Sequence, residues 1–209
     1  AMWPAFYDYV ARHTPGVTAP FAGDGGFAVL IECATSAPGG DAHRALETGL
    51  AAGIEAGLVD DAVLATSERQ ARDLWTLREG LAIDALPQLV NFDVSLPTGE
   101  LGAFAERCEA ALRSRWPALA CLFFGHVGDG NVHIGVSLAT MTDADADALD
   151  HCVYAVVRDM GGSVSAEHGI GALKRPYLAH TRSDAEIGLM RRLKAALDPR
   201  GILNPGKVL

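Results

Sequence analysis

Residues 119–138 restrict the fold more than any other part of the sequence. Two runs with alternating apolar residues flank Gly128-Asp129-Gly130-Asn131, which predicts two antiparallel strands joined by a tight turn. An Asp-Gly pair favours a two-residue type I′ turn, and with Asp129-Gly130 in that turn His126 would pair with His133. The sequence therefore predicts a sheet whose hairpin brings two histidines side by side.

Other patterns in the sequence predict the remaining elements. A short helical start precedes breaks at residues 23–26 and 38–40, and the tail 199–206 is rich in turns. Apolar runs predict strands at 27–33, 62–65 and 92–96, and helical periodicity predicts helices at 41–55, 67–84, 100–115, 143–160 and 183–197. We expect an α+β fold: an antiparallel sheet covered by helices, with ferredoxin-like halves and a C-terminal helical segment.

Composition excludes several classes of function. The chain has 209 residues, 49% of them hydrophobic, which suits one compact domain. Its net charge is −9 with no run of Lys or Arg, so nucleic acid and anionic membranes are not expected partners. No apolar run approaches the roughly 18 residues of a membrane span, and no secretory signal is recognisable. The four cysteines lie far apart, which argues against a disulfide framework and fits a reducing, cytoplasmic setting.

The predicted hairpin suggests a metal site. Direct cross-strand partners point to the same face with Cβ atoms about 4.5–5.5 Å apart, so His126 and His133 could bind one cation. Small residues on that face, Gly135 and Ser137, leave room for a ligand. The alternative is a polar hairpin with two surface histidines.

A carboxylate would complete such a site, and Glu167 is the candidate. It follows a short Val/Ser strand and precedes glycines, which allow backbone to approach a ligand closely. His168 comes next, and an imidazole beside a bound substrate is suited to general-base work near neutral pH. Alternatively, Glu167 is a carboxylate at the start of a helix and His168 a solvated histidine.

Three stretches together resemble the C-terminal domain of the FAD-linked oxidases of the vanillyl-alcohol-oxidase type. They are residues 125–133, 165–171 and 198–207. Members of this family include D-lactate, glycolate-type and D-2-hydroxyglutarate dehydrogenases. A fourth stretch, Leu74-Trp75-Thr76-Leu77-Arg78-Glu79, resembles the family segment whose arginine holds the substrate carboxylate. The resemblance extends from about the first predicted strand to the C-terminus.

This resemblance implies a role for each candidate residue. His126, His133 and Glu167 fall on the metal ligands of metal-dependent members, for a divalent ion such as Zn or Mn. His168 falls on the catalytic histidine, and Asn204 on an asparagine near the flavin ring. Arg78 would bind the substrate carboxylate in a bidentate way.

The sequence also departs from the family pattern. Asn91 stands where members that act on hydroxyglutarate carry a lysine, and Gly135 lacks a polar side chain found there. An unpaired buried carboxylate costs several kcal/mol. We therefore expect a D-2-hydroxy acid with a small or apolar side chain, such as lactate or 2-hydroxybutyrate.

The chemistry that the resemblance implies is oxidation of a D-2-hydroxy acid to a 2-oxo acid by hydride transfer to FAD. No glycine-rich flavin-binding half precedes Gly23, so residues 1–209 are expected to be the C-terminal substrate domain of a larger flavoprotein, inactive alone. FAD would be bound mainly by the N-terminal domain. The sequence leaves open the electron acceptor and the oligomeric state, with a homodimer among the assemblies considered.

Two other classes compete with a dehydrogenase. In a zinc-dependent hydrolase, His126, His133 and Glu167 would hold zinc and an activated water. A non-catalytic binding module would keep the fold without turnover. A nicotinamide fingerprint is absent, because Gly169-Ile170-Gly171 lacks the third glycine and opens no βαβ unit. Flavin binding and turnover by the intact protein would separate the three classes.

Overall fold

A computed structural model describes residues 1–21, 26–34 and 41–209 of the chain. Residues 23–25 of the break predicted at 23–26, and the whole of the break predicted at 38–40, lie outside the described residues. The helices are α1 (Pro4–His13), α2 (Ala42–Glu55), α3 (Glu68–Glu79), α4 (Leu101–Arg115), α5 (Asp143–Asp159) and α6 (Asp184–Leu197). The strands are β1 (Val90–Ser95), β2 (Ala120–His126) and β3 (Asn131–Ser137), and 3-10 turns cover Leu81–Ala85, Thr98–Glu100 and Arg175–His180.

The three strands form one antiparallel sheet in the order β1-β3-β2. Ser163, which follows α5, adds an antiparallel bridge to Ser95 at the outer edge of β1. The succession β1-α4-β2-β3-α5 with that final bridge is the order of a ferredoxin-like unit. The prediction of an α+β fold with an antiparallel sheet and a C-terminal helix is confirmed.

Strand alternation gives the sheet two faces that pack differently. One face meets α4 and α5 in the main core, with Phe92, Phe123 and Ile134 at 3% exposure or less. The other face meets α1 in a smaller cluster that includes Phe6 and Leu122. This second face also carries the polar residues of the candidate site, so α1 covers only part of it.

Short polar side chains start the helices where the sequence predicts. Thr142 caps α5 and Ser183 caps α6, each in a reciprocal capping box with the acidic residue three positions on. Gly80, with φ of 69°, ends α3 earlier than predicted. A Cβ there would lie 2.5 Å from the ring of Phe6, so only glycine lets α1 pack against this turn. Across the described ranges, no helix is long and apolar enough to cross a membrane.

The two strands predicted at 27–33 and 62–65 are wrong. In the first segment Ala28 makes a single antiparallel bridge to Met2, and the second segment has no regular structure. Phe27, Val29 and Ile31 are each about half exposed, at 49–53%. An apolar run becomes a buried strand only where a neighbouring strand pairs with it, and periodicity alone does not reveal the partner.

The predicted hairpin register is also wrong, by two residues. His126 pairs with Asn131, and Phe124 pairs with His133. A type I′ turn needs positive φ at both central residues, but of the Asp-Gly pair only Gly130 has it, at 77°. The carbonyl of Gly130 instead accepts the N–H of Leu96, just beyond β1, at 2.9 Å. Because the error is an even number of residues, His126 and His133 still share one face.

Gly130 provides a test of this turn. A Cβ at Gly130 would lie 2.2 Å from the carbonyl oxygen of Leu96, whereas a Cβ at Gly128 meets nothing within 4 Å. We expect Gly130→Ala to lower the free energy of unfolding by about 1–3 kcal/mol, because a side chain is strained at this φ. Gly128→Ala should change it by less than about 0.5 kcal/mol. Urea denaturation of both variants checks this, and equal losses would contradict it.

Candidate metal and substrate site

Arg78 reaches the sheet from the last turn of α3. It is 7% exposed, and its Nη2 donates to the carbonyl oxygen of Gly125 at 3.1 Å. The same nitrogen lies 3.2 Å from Nε2 of His126. The guanidinium carbon lies 5.3 Å from the ring centre of Phe124, which gives a cation–π contact. These contacts hold the cationic group at the end of β2, beside the first histidine.

The two histidines lie diagonally across the hairpin. Their ring centres are 5.9 Å apart, and the rings are nearly perpendicular, at 83°. The side chain of His126 is half exposed, whereas that of His133 is 17% exposed and packs against Phe124. Burial lowers the pKa of His133, and the nearby carboxylates of Glu167 and Asp93 oppose this shift. A neutral imidazole is the form that binds a metal.

Glu167 joins the histidines from the segment after α5. Its Oε1 accepts a hydrogen bond from Nδ2 of Asn131 at 2.7 Å and lies 3.9 Å from Nε2 of His126. One ligand atom each from His126, His133 and Glu167 lies within 4.8 Å of the other two. Two imidazoles and one carboxylate are the donor set of many catalytic zinc sites, which leave a position open. The residues therefore fit a divalent cation.

Asp93 is a site residue that the sequence analysis missed. It lies on β1 opposite His133 and is 2% exposed. Burial by itself would raise the pKa of Asp93, but hydrogen bonds from the backbone N–H groups of His168 and Glu167, with the nearby charges of Lys174 and His168, hold it below its usual value. Alternation along Phe92-Asp93-Val94 was the available signal, because it puts Asp93 on the face opposite its apolar neighbours.

The remaining candidates do not all lie at this group. Nδ1 of His168 lies 3.8 Å from Oδ2 of Asp93, and its side chain is 71% exposed. Asn91 pairs with Gly135, and Asp93 pairs with His133 two residues further along β1. Because side chains alternate along a strand, Asn91 and Asp93 lie on the same face of the sheet. Asn204 is exposed, with φ of 44°. The C-terminal tail that carries Asn204 is connected to the loop after His168, because the N–H of Val208 donates to the carbonyl oxygen of Gly171 at 2.7 Å. The described contacts do not join Asn204 to the other candidates.

Two cavities lie near the edge of the sheet. One of about 360 Å³ is lined by Arg78 and His126 together with the turn between β2 and β3. A wider groove of about 1100 Å³ lies between residues 26–33, α2 and α3, and none of the candidate residues lines it. Of the candidate residues, Arg78 and His126 line the smaller cavity, whereas His133 and Glu167 do not, so this cavity opens beside one end of the group.

The fold and the site together define a class of protein: an α+β domain whose sheet presents a His-His-Glu group beside a buried arginine. The chain belongs to the family described as FAD linked oxidases, C-terminal domain, whose profile matches residues 2–208.

Several curated proteins are similar to this chain in sequence. The D-2-hydroxyglutarate dehydrogenase of Stutzerimonas stutzeri is 36% identical over 199 residues, which cover 92% of this chain and 42% of that protein. A protein of the same name from Xanthomonas citri pv. viticola is 39% identical, over 96% of this chain and 43% of its own length. The mitochondrial enzyme of Arabidopsis thaliana is 37% identical, over 97% of this chain and 36% of its own. The chain thus spans less than half of each relative.

Metal binding by His126, His133 and Glu167 is a prediction that can be tested directly. We expect His133→Ala and Glu167→Gln each to weaken zinc or manganese binding by more than the roughly 10–100-fold that removal of an outer-shell partner costs. His43→Ala, at an exposed histidine on α2, should leave the affinity unchanged. Equilibrium dialysis with metal analysis measures this. Equal affinity in all variants would show that any bound ion lies elsewhere.

Proposed function

We propose that this chain is the C-terminal, substrate- and metal-binding part of a flavin-dependent dehydrogenase that oxidises a D-2-hydroxy acid to a 2-oxo acid. The observation that carries the proposal is the convergence of His126, His133 and Glu167 beside Arg78 in a member of the FAD-linked oxidase family. The same donor set would suit a zinc-dependent hydrolase, but the family match over residues 2–208 favours flavin chemistry.

His126, His133 and Glu167 would hold a divalent ion, Zn or Mn, whose positive charge lowers the pKa of the substrate hydroxyl. Bound FAD supplies the acceptor for the hydride that leaves the α-carbon. Most of the flavin would contact the N-terminal part of the larger protein, and Asn204 would approach its ring from this chain. The protein's own groups have the task of binding, orienting and deprotonating the substrate.

Arg78 would bind the α-carboxylate of the substrate. Among the described residues its hydrogen bonds involve Nη2 alone, so Nη1 and Nε keep N–H groups for a carboxylate. Its low exposure, 7%, favours this role, because a buried guanidinium gains most from a charged partner. The contact with Nε2 of His126 also means that a cation bound at that nitrogen would release Nη2 for the substrate.

His168 would accept the proton of the hydroxyl. Its backbone N–H donates to Asp93 at 3.0 Å, which fixes the main chain, while its side chain stays exposed toward solvent. A general base needs both a fixed main chain, which places the side chain, and a ring nitrogen that the substrate can reach.

The substrate side chain is proposed to be small or apolar. The relatives are named for D-2-hydroxyglutarate, whose second carboxylate needs a cationic or strongly donating partner. On the site's sheet face, the pair of Asn91 and Gly135 offers a neutral amide and no side chain. Leu89 and Ile83 approach Gly135, so its surroundings are mainly apolar. The basic residue Lys174 already has a partner, because its Nζ donates to the backbone carbonyl oxygen of Asp93 at 2.8 Å.

The compartment and the oligomeric state of the protein are proposed from its sequence. Relatives from Arabidopsis thaliana and Bos taurus are named as mitochondrial. The cytoplasmic setting expected from the cysteines stays a prediction, as does a homodimer.

The activity can be tested on the full-length protein with an artificial electron acceptor and a panel of D-2-hydroxy acids. We expect turnover of at least one acid, with a His168→Gln variant reduced by about 10²–10⁴-fold in kcat, the usual contribution of a general base. A His43→Gln control should retain the parent rate. Flavin binding without turnover of any acid in the panel would favour the non-catalytic binding module.

The substrate preference is tested by a charge substitution at Asn91. The parent should favour D-lactate or D-2-hydroxybutyrate over D-2-hydroxyglutarate in kcat/KM. Asn91→Lys should raise kcat/KM for D-2-hydroxyglutarate about 10–100-fold, because a hydrogen bond to a charged group contributes about 1.5–3 kcal/mol. Asn91→Gln, longer but uncharged, should not. A parent that favours D-2-hydroxyglutarate over D-lactate tenfold would show that another basic residue binds the second carboxylate.

A further inference from the structure

Asp93 is the most buried carboxylate among the described residues, at 2% exposure. It lies on the site's sheet face, directly opposite His133. A charged group so far from water requires hydrogen bonds or an opposite charge in compensation. Its partners therefore indicate what it does.

One carboxylate oxygen of Asp93 organises the segment that carries Glu167. Oδ2 accepts the backbone N–H groups of Ala166, Glu167 and His168 at 3.3, 2.9 and 3.0 Å. Three consecutive N–H groups aimed at one oxygen fix the main chain of this turn relative to β1. The direction in which Glu167 leaves the backbone is thereby set by Asp93.

The other oxygen faces a histidine. Oδ1 of Asp93 is buried and makes no hydrogen bond within the described residues, and it lies 3.9 Å from Nδ1 of His133. That distance is too long for a hydrogen bond, yet no other partner is directed at this oxygen in the described part of the chain. Metal-binding histidines usually donate their second ring N–H to a carboxylate or carbonyl.

Lys174 supplies the opposite charge. Its Nζ donates to the carbonyl oxygen of Asp93 at 2.8 Å and lies 3.9 Å from Oδ2. Burial lowers the pKa of Lys174, and the charges of Asp93 and Asp150 oppose this shift. Because an ammonium compensates Asp93, Oδ1 is left to act on His133.

We propose that Asp93 is a positioning residue for the cation site. Through Oδ2 it holds the turn that presents Glu167. When a cation is bound, the ring of His133 closes the 3.9 Å gap to Oδ1, which then accepts the Nδ1–H and directs Nε2 to the cation. The inference rests on the proposed function, because it assumes that His126, His133 and Glu167 bind a divalent ion.

A substitution can separate this role from simple support of the fold. Asp93→Asn, made in the full-length protein, keeps the size of the side chain and one acceptor oxygen but removes the charge. Asp198→Asn is the matched control. Asp198 is also buried, accepts the N–H groups of Ile202 and Leu203 at 3.0 and 2.9 Å, and pairs with Lys194, without contacting the three ligands.

Zinc affinity and the unfolding temperature are measured for both variants. We expect Asp93→Asn to weaken zinc binding on the order of 10–100-fold, as losses of outer-shell partners do, and Asp198→Asn to leave it within about threefold. Unchanged zinc affinity in Asp93→Asn would overturn the proposal, whatever the change in unfolding temperature.

A second measurement needs no variant and covers the case in which Asp93→Asn does not fold. In the zinc-loaded parent labelled with ¹⁵N-histidine, NMR should show His133 protonated at Nδ1 and bound to zinc through Nε2. Zinc on Nδ1 would overturn the proposal. A parent that binds no zinc would refute the metal site itself and this inference with it, which is a distinct result.

Discussion

Strand β3 is hydrogen-bonded on both sides, to β1 along one edge and to β2 along the other. It cannot slide by one residue without breaking both ladders and turning every side chain to the wrong face. Val132, Ile134 and Val136, which face the core, are fully buried, while Asn131 and His133 face the site. The hydrophobic free energy that fixes this register in the core therefore also fixes the position of the histidine.

The strands alone do not make the site, because Glu167 is remote in sequence. It comes to the sheet through Asp93, whose hydrogen bonds to residues 166–168 join positions more than 70 residues apart. Asn131 adds a second connection through its side-chain amide. The N–H groups donate to an ionised carboxylate, and such charge-assisted hydrogen bonds are stronger than neutral ones.

The sequence predicted most helices and the three paired strands to within a few residues, because periodicity and capping residues are local signals. It failed where the outcome depends on a distant partner. Residues 27–33 have the composition of a buried strand but find only one bridge, at Ala28. The predicted turn was wrong for a related reason, since the carbonyl of Gly130 accepts a hydrogen bond from the N–H of Leu96, which lies beyond β1. The prediction that His126 and His133 share one face was still correct, because a register error of an even number of residues leaves each side chain on the same face.

For the candidate site, the sequence indicated which residues to consider as ligands, but not the hydrogen bonds that hold them in place. Histidine pairs and Glu-His motifs attract attention in a sequence, whereas Asp93, Asn131 and Lys174 look like ordinary polar residues until the fold brings them together. No local pattern specifies that a carboxylate on β1 will accept N–H groups from a turn after α5. The place of Asp93 between two apolar residues of the strand was the one available sign, and it has meaning only once the strand's two faces are assigned.

The charges of the site give a final constraint on what it can accept. Asp93 lies close to Lys174, and Glu167 lies in the same group as Arg78, with His126 between them. Two carboxylates and two cationic groups nearly cancel, so a divalent ion would bring an excess of positive charge into a partly buried place. Such an excess favours an anionic ligand. In the proposed reaction, a 2-hydroxy acid would contribute one negative charge from its carboxylate and a second once its hydroxyl is deprotonated. The site would then interact more strongly with the reacting substrate than with the substrate as it first binds, which is the requirement for catalysis rather than for binding alone.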